Sequence, residues 1–148
     1  MQFSPDNIIL FKSLFRGRQD VYAIHWEKEG KSGYMPAYKV DWSDYGKHTA
    51  SGGTFKNYTK KEYLPFNNDV ILHHFQGSET VGVYPLLEDN TSYFIAADFD
   101  EDNWKVSIRK LYSTCIKYDI PSYIERSRSG NGGHLWVFFE ENLPAEQI

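Results

Sequence analysis

SYFIAADFD (residues 92–100) is the segment that decides the fold, because it is an apolar β-strand that runs directly into two acidic residues. Side chains alternate along a strand, so Asp98 and Asp100 share one side and Phe99 turns the opposite way, toward a core. Two carboxylates held this close repel each other unless a cation lies between them, and Mg²⁺ or Mn²⁺ prefers such oxygen ligands. The segment therefore predicts either a metal site or an ordinary acidic turn after a strand.

A second segment, ERSRSGNGGHLWVFF (residues 125–139), places a glycine-rich loop between two further strands. Glycines allow left-handed backbone and close approach, so main-chain N–H groups can form an anion-binding concavity. The candidate residues of this loop are Arg126, Arg128, Ser129, Gly130, Gly132, Gly133 and His134. The alternative is a plain hairpin with a histidine at the start of a strand. Together with the acidic strand end, the loop favours a site for a metal-bound triphosphate.

The surrounding pattern predicts an α+β fold. A helix is expected over residues 102–118, where apolar residues recur at helical spacing. A strand at residues 81–86 is expected to form a hairpin with the Asp98 strand. The two hairpins and the helix would make an antiparallel sheet with a helix on one face, within residues 68–148. Residues 1–67 would form an N-terminal α/β module, in which a helix begins at Ser4 and residues 30–57 are mostly loop with short strands.

Composition limits the classes of function. The chain of 148 residues has a formal net charge of −4, so no global basic field draws it onto nucleic acid. Local basic clusters exist at Lys12, Arg16 and Arg18, at Lys56, Lys60 and Lys61, and at Arg126 and Arg128, and the first two are more typical of a solvated surface. The single cysteine, Cys115, excludes a disulfide framework and is expected to be a small buried apolar group. No apolar run approaches the roughly 20 residues that cross a membrane, and we expect a cytoplasmic protein.

The order AADFD followed by ERSRSGNGGHLWVFF resembles the archaeo-eukaryotic primase superfamily. Its first motif is a hydrophobic residue followed by D-x-D, and its second places a histidine in a glycine-rich loop. The branch that the chain resembles is the primase domain of the TOTE conflict systems, which are bacterial mobile-element defence modules. The phrases LFRGRQDVYA (residues 14–23), KSGYMPA (residues 31–37) and VGVYPLL (residues 81–87) look like the same branch, so the resemblance covers nearly the whole chain.

The resemblance implies an enzyme, a DNA primase and polymerase that extends strands from nucleoside triphosphates on a DNA or RNA template. It implies that residues 68–148 form the RRM-like ββαββ half of the primase core. Asp98 and Asp100 would be catalytic ligands of Mg²⁺ or Mn²⁺, and Ser129 and His134 would contact the incoming triphosphate. Arg126, Arg128 and the loop glycines would complete the nucleotide site. Helicase or nuclease domains of the same system are expected as further partners.

One departure from the family pattern leaves an alternative open. The pattern has a third acidic motif on a later strand, and after His134 the chain offers only Glu140, Glu141 and Glu146. We therefore expect the front part of a primase domain, without the third motif. A non-catalytic module that binds nucleotides or nucleic acid is the alternative, and it predicts triphosphate binding without turnover. A metal-dependent nuclease or a sugar-nucleotide transferase can also use D-x-D, but it predicts further catalytic acids or a sugar-binding region, which we do not find.

Overall fold

The computed structural model describes residues 4–148. In chain order the elements are α1 (Pro5–Leu14), β1 (Ala23–Lys28), β2 (Lys31–Pro36), β3 (Tyr38–Val40), α2 (Trp42–Ala50), β4 (Lys61–Tyr63), α3 (Asn68–Gln76), β5 (Val81–Gly82), β6 (Thr91–Phe99), α4 (Trp104–Lys117), β7 (Tyr123–Arg126) and β8 (Gly133–Pro144), followed by a short 3₁₀ helix (Ala145–Gln147). The strands pair in antiparallel fashion, so the predicted α+β class is confirmed. Within this described part of the chain, none of the helices has the length and apolar character needed to span a bilayer.

The chain forms two compact units, each discontinuous in sequence. The first comprises the described residues up to Ile9 together with Arg18–Tyr84, and the second comprises Leu10–Gly17 together with Pro85–Ile148. The later boundary between the units falls after Tyr84, whereas the sequence predicts a division after residue 67. That division of the catalytic core stays a prediction.

The first unit contains a three-stranded sheet in the order β2-β1-β5 and a two-stranded sheet of β3 and β4. Its buried core consists of Val21, Tyr22, Ala37, Tyr58, Phe66, Val70 and Ile71. Aromatic residues of the segment 34–58 pack on one another, and the ring of Tyr45 lies 5.6 Å from that of Phe55 and 5.3 Å from that of Tyr58. These contacts anchor a part of the chain that has few regular elements.

In the second unit, α4 covers one face of an antiparallel sheet in the order β6-β8-β7. The buried core between them consists of Ile108, Cys115, Leu135 and Val137. The helix predicted after the acidic segment is therefore present, and it packs its apolar face on the sheet as expected. Cys115 is the small buried group that the sequence predicts.

Aromatic residues pack on the other face of this sheet, around Phe15. The Phe15 ring centroid lies 5.9 Å from that of Phe94, 5.1 Å from that of Trp136 and 5.5 Å from that of Phe138, in edge-to-face geometry. Such pairs add to the stabilisation that comes from burying their area. A short segment from early in the chain is thereby fixed to the sheet that carries the acidic strand end.

The predicted hairpin of residues 81–86 with the Asp98 strand is wrong. Strand β5 pairs with β1, where Val81 lies opposite Ile24, and the partner of β6 is β8. Strand β5 has only two residues, too few for their sequence pattern to indicate a pairing partner. Packing against residues far away in the sequence therefore decides which strand β5 pairs with. The sheet of the second unit therefore has the chain order β-α-β-β in the described residues, and the RRM-like detail stays a prediction.

Candidate functional site

The two acidic residues lie where β6 ends. Asp98 is opposite His134 in the register of β6 and β8, and Phe99 is opposite Gly133. Phe99 packs against the core under α4, as the alternation predicts, whereas Asp98 and Asp100 are exposed. Both carboxylates are therefore accessible at one end of the sheet.

His134 lies between two carboxylates that belong to the strands on either side of β8. Its Nε2 atom is 3.5 Å from Oδ1 of Asp98, and its Nδ1 atom is 3.2 Å from Oε2 of Glu125. Asp98 and Glu125 are both register partners of His134, so the three side chains project from the same face of the sheet. The histidine side chain is 30% exposed, so a ligand can reach it from solvent.

Glu125 and Trp136 are residues of this site that the sequence analysis did not identify. The indole Nε1 of Trp136 donates a hydrogen bond of 2.9 Å to the same Oε2 atom of Glu125 that faces His134. The predicted hairpin of β7 and β8 could have identified Glu125. Arg126 pairs with Gly133 next to the loop, so the following pair is Glu125 with His134. Counting the register outward from the loop would have placed a carboxylate opposite the histidine.

The loop between β7 and β8 is held by its own hydrogen bonds. The N–H of Ser127 donates to the carbonyl oxygen of Gly132 at 3.0 Å, and the N–H of Gly130 donates to that of Ser127 at 2.9 Å. Gly130 has a φ of +78°, which a residue with a side chain adopts only at a cost. The hydroxyl of Ser129 accepts a hydrogen bond from the N–H of Asn131 at 3.2 Å. Three of the loop N–H groups are thus engaged within the loop, and the predicted anion-binding concavity stays a prediction.

The residues on either side of the loop differ in their contacts. Arg126 donates from Nε at 3.1 Å and from a terminal nitrogen at 3.0 Å to the carbonyl oxygen of Gly130, so it braces the loop. Arg128 is exposed. Gly133 is buried against Trp104, where an added Cβ would lie 2.8 Å from the indole ring. Arg126 therefore braces the loop internally, and Gly133 fixes the end of the loop against α4.

Gly132 brings the loop against the acidic strand end. A Cβ atom at this position would lie 2.6 Å from Oδ1 of Asp100 and 2.7 Å from the carbonyl oxygen of Phe99. Both distances are shorter than real Cβ atoms show, so a side chain here requires a shift. The structure thus brings Asp98, Asp100 and His134 together with the glycine loop.

The donors at this corner suit a hard divalent cation that takes part of its coordination from a ligand. Across residues 4–148, no three His, Cys, Asp or Glu side chains are arranged to hold a metal ion by themselves. Mg²⁺ is usually bound by one or two carboxylates together with water and substrate phosphates, without a cage made only of protein. Asp98 and Asp100 supply that number of carboxylates, so the site fits a cation that is shared with a phosphate ligand.

The other two basic clusters of the sequence have local partners. Arg18 pairs with Asp20, and Lys60 Nζ lies 3.1 Å from Oδ1 of Asp44. Lys61 donates to a backbone carbonyl at 2.6 Å. Pairs of this kind are typical of surface residues and add little to stability. Arg16 of the first cluster is different, because it is half-buried and donates to backbone carbonyls of β8, so the solvated surface expected for that cluster does not hold for Arg16.

A protein-family model described as the archaeo-eukaryotic primase domain of the TOTE conflict system matches residues 6–148. The chain belongs to this family. The match includes the acidic strand end and the glycine loop, so the primase domain carries both parts of the site described above. A comparison with curated proteins found no match. Membership indicates a primase-type nucleotidyltransferase function in a conflict system, in a family that generally acts on nucleotides and nucleic acid and uses divalent metals.

Proposed function

We propose that this primase domain binds a nucleoside triphosphate together with Mg²⁺ or Mn²⁺ beside Asp98 and His134, and adds the nucleotide to a strand under the direction of a template. The observation that carries the proposal is the pairing of these two residues across β6 and β8. The contact of Asp100 with the glycine loop supports it, because it brings the two motifs to one end of a sheet. Carboxylates for a cation and donors for a polyphosphate are then within reach of one another.

In this proposal the two exposed carboxylates bind the cation. Asp98 is positioned by the β-ladder opposite His134, and Asp100 by the close approach of Gly132. A bound cation supplies positive charge that neutralises the triphosphate and lowers the pKa of the attacking 3′-hydroxyl group. Both aspartates lie at one end of the sheet before the ligands arrive, and their exposed side chains can turn toward the cation when it binds.

The triphosphate would be bound by His134, Ser129, Arg126 and Arg128. A guanidinium group offers five N–H donors, and Arg126 uses Nε and one terminal nitrogen on Gly130. The remaining donors are left for phosphate oxygens, so one side chain would brace the loop and bind the ligand. The glycines of the loop allow the backbone to approach a phosphate closely.

The wider setting of the reaction follows from the family. The template would be DNA or RNA, and residues 68–148 would form the RRM-like part of the catalytic core. Helicase or nuclease domains of the same conflict system would act beside this domain. The family favours nucleotidyl transfer over a nuclease or a sugar-nucleotide transferase.

A non-catalytic nucleotide-binding module is the second candidate, because the contacts of the loop and of His134 would serve binding alone equally well. The two candidates agree on triphosphate binding and differ on turnover. Extension of a labelled primer on a template, assayed with Mn²⁺, therefore separates them.

The test of binding is isothermal titration of a nucleoside triphosphate with Mn²⁺ into the chain. We expect binding that requires the metal, and a loss of at least about tenfold in affinity for Asp98→Ala and His134→Ala, in line with the loss of a charged contact. Matched controls are Glu141→Ala and His73→Ala, which remove the same kinds of side chain from exposed positions. Absence of binding by a chain that is shown to be folded would overturn the proposal, as would equal losses in the controls.

A further inference from the structure

Glu125 makes two contacts that converge on one oxygen atom. Its Oε2 atom lies 3.2 Å from Nδ1 of His134 and accepts the indole N–H of Trp136 at 2.9 Å. An indole nitrogen can only donate, and an ionised carboxylate can only accept. The histidine nitrogen that faces Glu125 must therefore be the one that carries a proton, and Nδ1–H is the donor in this contact.

The indole that holds Glu125 is itself fixed by the aromatic packing of the sheet. The Trp136 ring lies 5.1 Å from Phe15 at an interplanar angle of 90°, and it is stacked with Phe138 at 6.2 Å and 4°. The His134 ring meets the Trp136 ring edge to face at 5.8 Å and 72°. A rigid aromatic cluster therefore orients the carboxylate, and the carboxylate and the indole together orient the imidazole.

The contact on the other side of the histidine is looser. Nε2 of His134 lies 3.5 Å from Oδ1 of Asp98, which is beyond the usual range of an N–H···O hydrogen bond. Glu125, at 3.2 Å, is the closer of the two carboxylates and shares its oxygen with a second donor. Glu125 therefore makes the stronger of the two contacts with the imidazole ring, and Nε2 is the ring nitrogen that faces Asp98.

We infer that Glu125 is a positioning residue that fixes the orientation and the tautomer of His134, with Nδ1–H bound to Glu125 and Nε2 directed toward Asp98. The inference rests on the proposed function for its effect on ligand binding, and on the contacts alone for its effect on the ring. Glu125 itself does not touch the ligand. With Nδ1–H bound to Glu125, the ring presents Nε2 to the ligand side, where its lone pair can bind the cation or, in the protonated ring, Nε2–H can donate to a phosphate oxygen.

The first measurement is made without any ligand. Long-range ¹H–¹⁵N spectra of the chain with labelled histidine identify which ring nitrogen of His134 carries the proton when the ring is neutral. We expect the Nδ1–H form in the unaltered chain and a shift toward the Nε2–H form in Glu125→Ala. Glu125→Gln keeps an oxygen acceptor of the same reach, so we expect it to retain the Nδ1–H form, and Glu141→Ala on β8 should change nothing.

The second measurement is the affinity for a nucleoside triphosphate with Mn²⁺ in the same variants. We expect Glu125→Ala to bind about tenfold more weakly, the size of effect usual for loss of a group that orients a histidine ligand. Glu125→Gln should keep most of the affinity. Glu125 is 56% exposed on its side chain, so neither variant removes a buried core group.

The two measurements distinguish failure of this inference from failure of the proposed function. If Glu125→Ala leaves His134 in the Nδ1–H form, or if its tautomer shifts without loss of affinity, the inference is overturned. If the unaltered chain binds no triphosphate, the proposed function fails, and the tautomer measurement alone then decides whether Glu125 positions the ring.

Discussion

The carboxylate of Asp100 and the backbone of Gly132 approach each other so closely that there is no space for a Cβ atom between them. The distance from such an atom to Oδ1 of Asp100 would be 2.6 Å. Residue 132 therefore controls how near the glycine loop lies to the acidic strand end, and it does so through the absence of a side chain.

We expect Gly132→Ala to displace the loop or Asp100 and to lower the free energy of unfolding by about 1–3 kcal/mol, the usual cost of overpacking. The affinity for a triphosphate with Mn²⁺ should also fall, and by more than the fraction of unfolded protein in Gly132→Ala accounts for. Urea unfolding and isothermal titration measure the two effects. Gly46→Ala is the control, because a Cβ there meets nothing within 4 Å and lies within α2, where alanine should add up to about 1 kcal/mol. Equal effects of the two substitutions would contradict the argument.

The sheet of the second unit depends on burial under α4. Ile108 is 2% exposed, whereas Val106 on the same helix is 55% exposed. We expect Ile108→Ala to lower the free energy of unfolding by about 2–5 kcal/mol, because it leaves a cavity, and Val106→Ala to change it by less than about 0.5 kcal/mol. Chemical denaturation of both variants checks the difference, and similar midpoints would show that α4 does not bury this face.

Arg16 fixes the segment that carries Phe15. Its guanidinium donates to the carbonyl oxygens of Phe139 at 2.5 Å and of Glu140 at 3.1 Å, and it lies 3.9 Å from the ring centre of Tyr93. Lysine keeps the charge but lacks the planar fork, so we expect Arg16→Lys to cost about 1–3 kcal/mol in thermal or urea unfolding.

The exposed Arg109 provides the control for this substitution. Arg109→Lys should have no measurable effect on unfolding. A neutral Arg16→Lys would mean that the segment is fixed by the aromatic contacts of Phe15 alone.

Lys60 and Tyr58 hold the pKa of Asp44 below its usual value. The Lys60 ammonium lies 3.1 Å from one carboxylate oxygen, and the Tyr58 hydroxyl donates to the other at 2.9 Å. Because the pKa is lowered in the folded state, this contribution to stability is present above the unfolded pKa of about 3.9 and is lost as the pH falls through the folded pKa.

We expect Lys60→Met to raise the pKa of Asp44 toward its usual value, since the ammonium is the larger cause of the shift. A carbon-detected NMR titration of the carboxyl group measures the pKa directly. Lys56→Met removes an exposed ammonium nearby in sequence and should leave it unchanged. An unchanged pKa in Lys60→Met would assign the shift to Tyr58 and the charge of Lys47.

The parts of the fold that were predicted correctly are those with strong local signals. Residues 92–100 and 104–117 combine apolar periodicity with clear ends, so β6 and α4 follow from the sequence. Helix α2 was missed, although Asp41 caps it by accepting from the N–H groups of Ser43 and Asp44. Its interior contains Gly46, which is a poor helix former, so tertiary contacts decide the helix there.

For a related reason, only some residues of the candidate site can be identified from the sequence. Asp98 and His134 lie next to glycine, strand and turn signals that identify them as candidates. Glu125 has no such signal of its own, and only the register of β7 on β8 places it opposite His134. A residue whose role depends on strand pairing can be identified only after the register of that pairing is known.

The discontinuity of the second unit has a consequence for how the protein is made. Leu10–Gly17 belongs to this unit although the rest of the unit begins at Pro85. Within the unit, Arg16 donates to the carbonyl oxygen of Phe139, which is 123 residues later in the chain. During synthesis on the ribosome, Phe15 therefore emerges long before Phe94 and Trp136. While residues 18–84 are synthesised, the ring of Phe15 has neither of these packing partners. The first unit is fully synthesised by residue 84, but the strands that carry Asp98 and His134 can be completed only afterwards. An incomplete translation product that ends before residue 139 would thus expose an aromatic surface that chaperones and proteases recognise, and its candidate site would not be assembled.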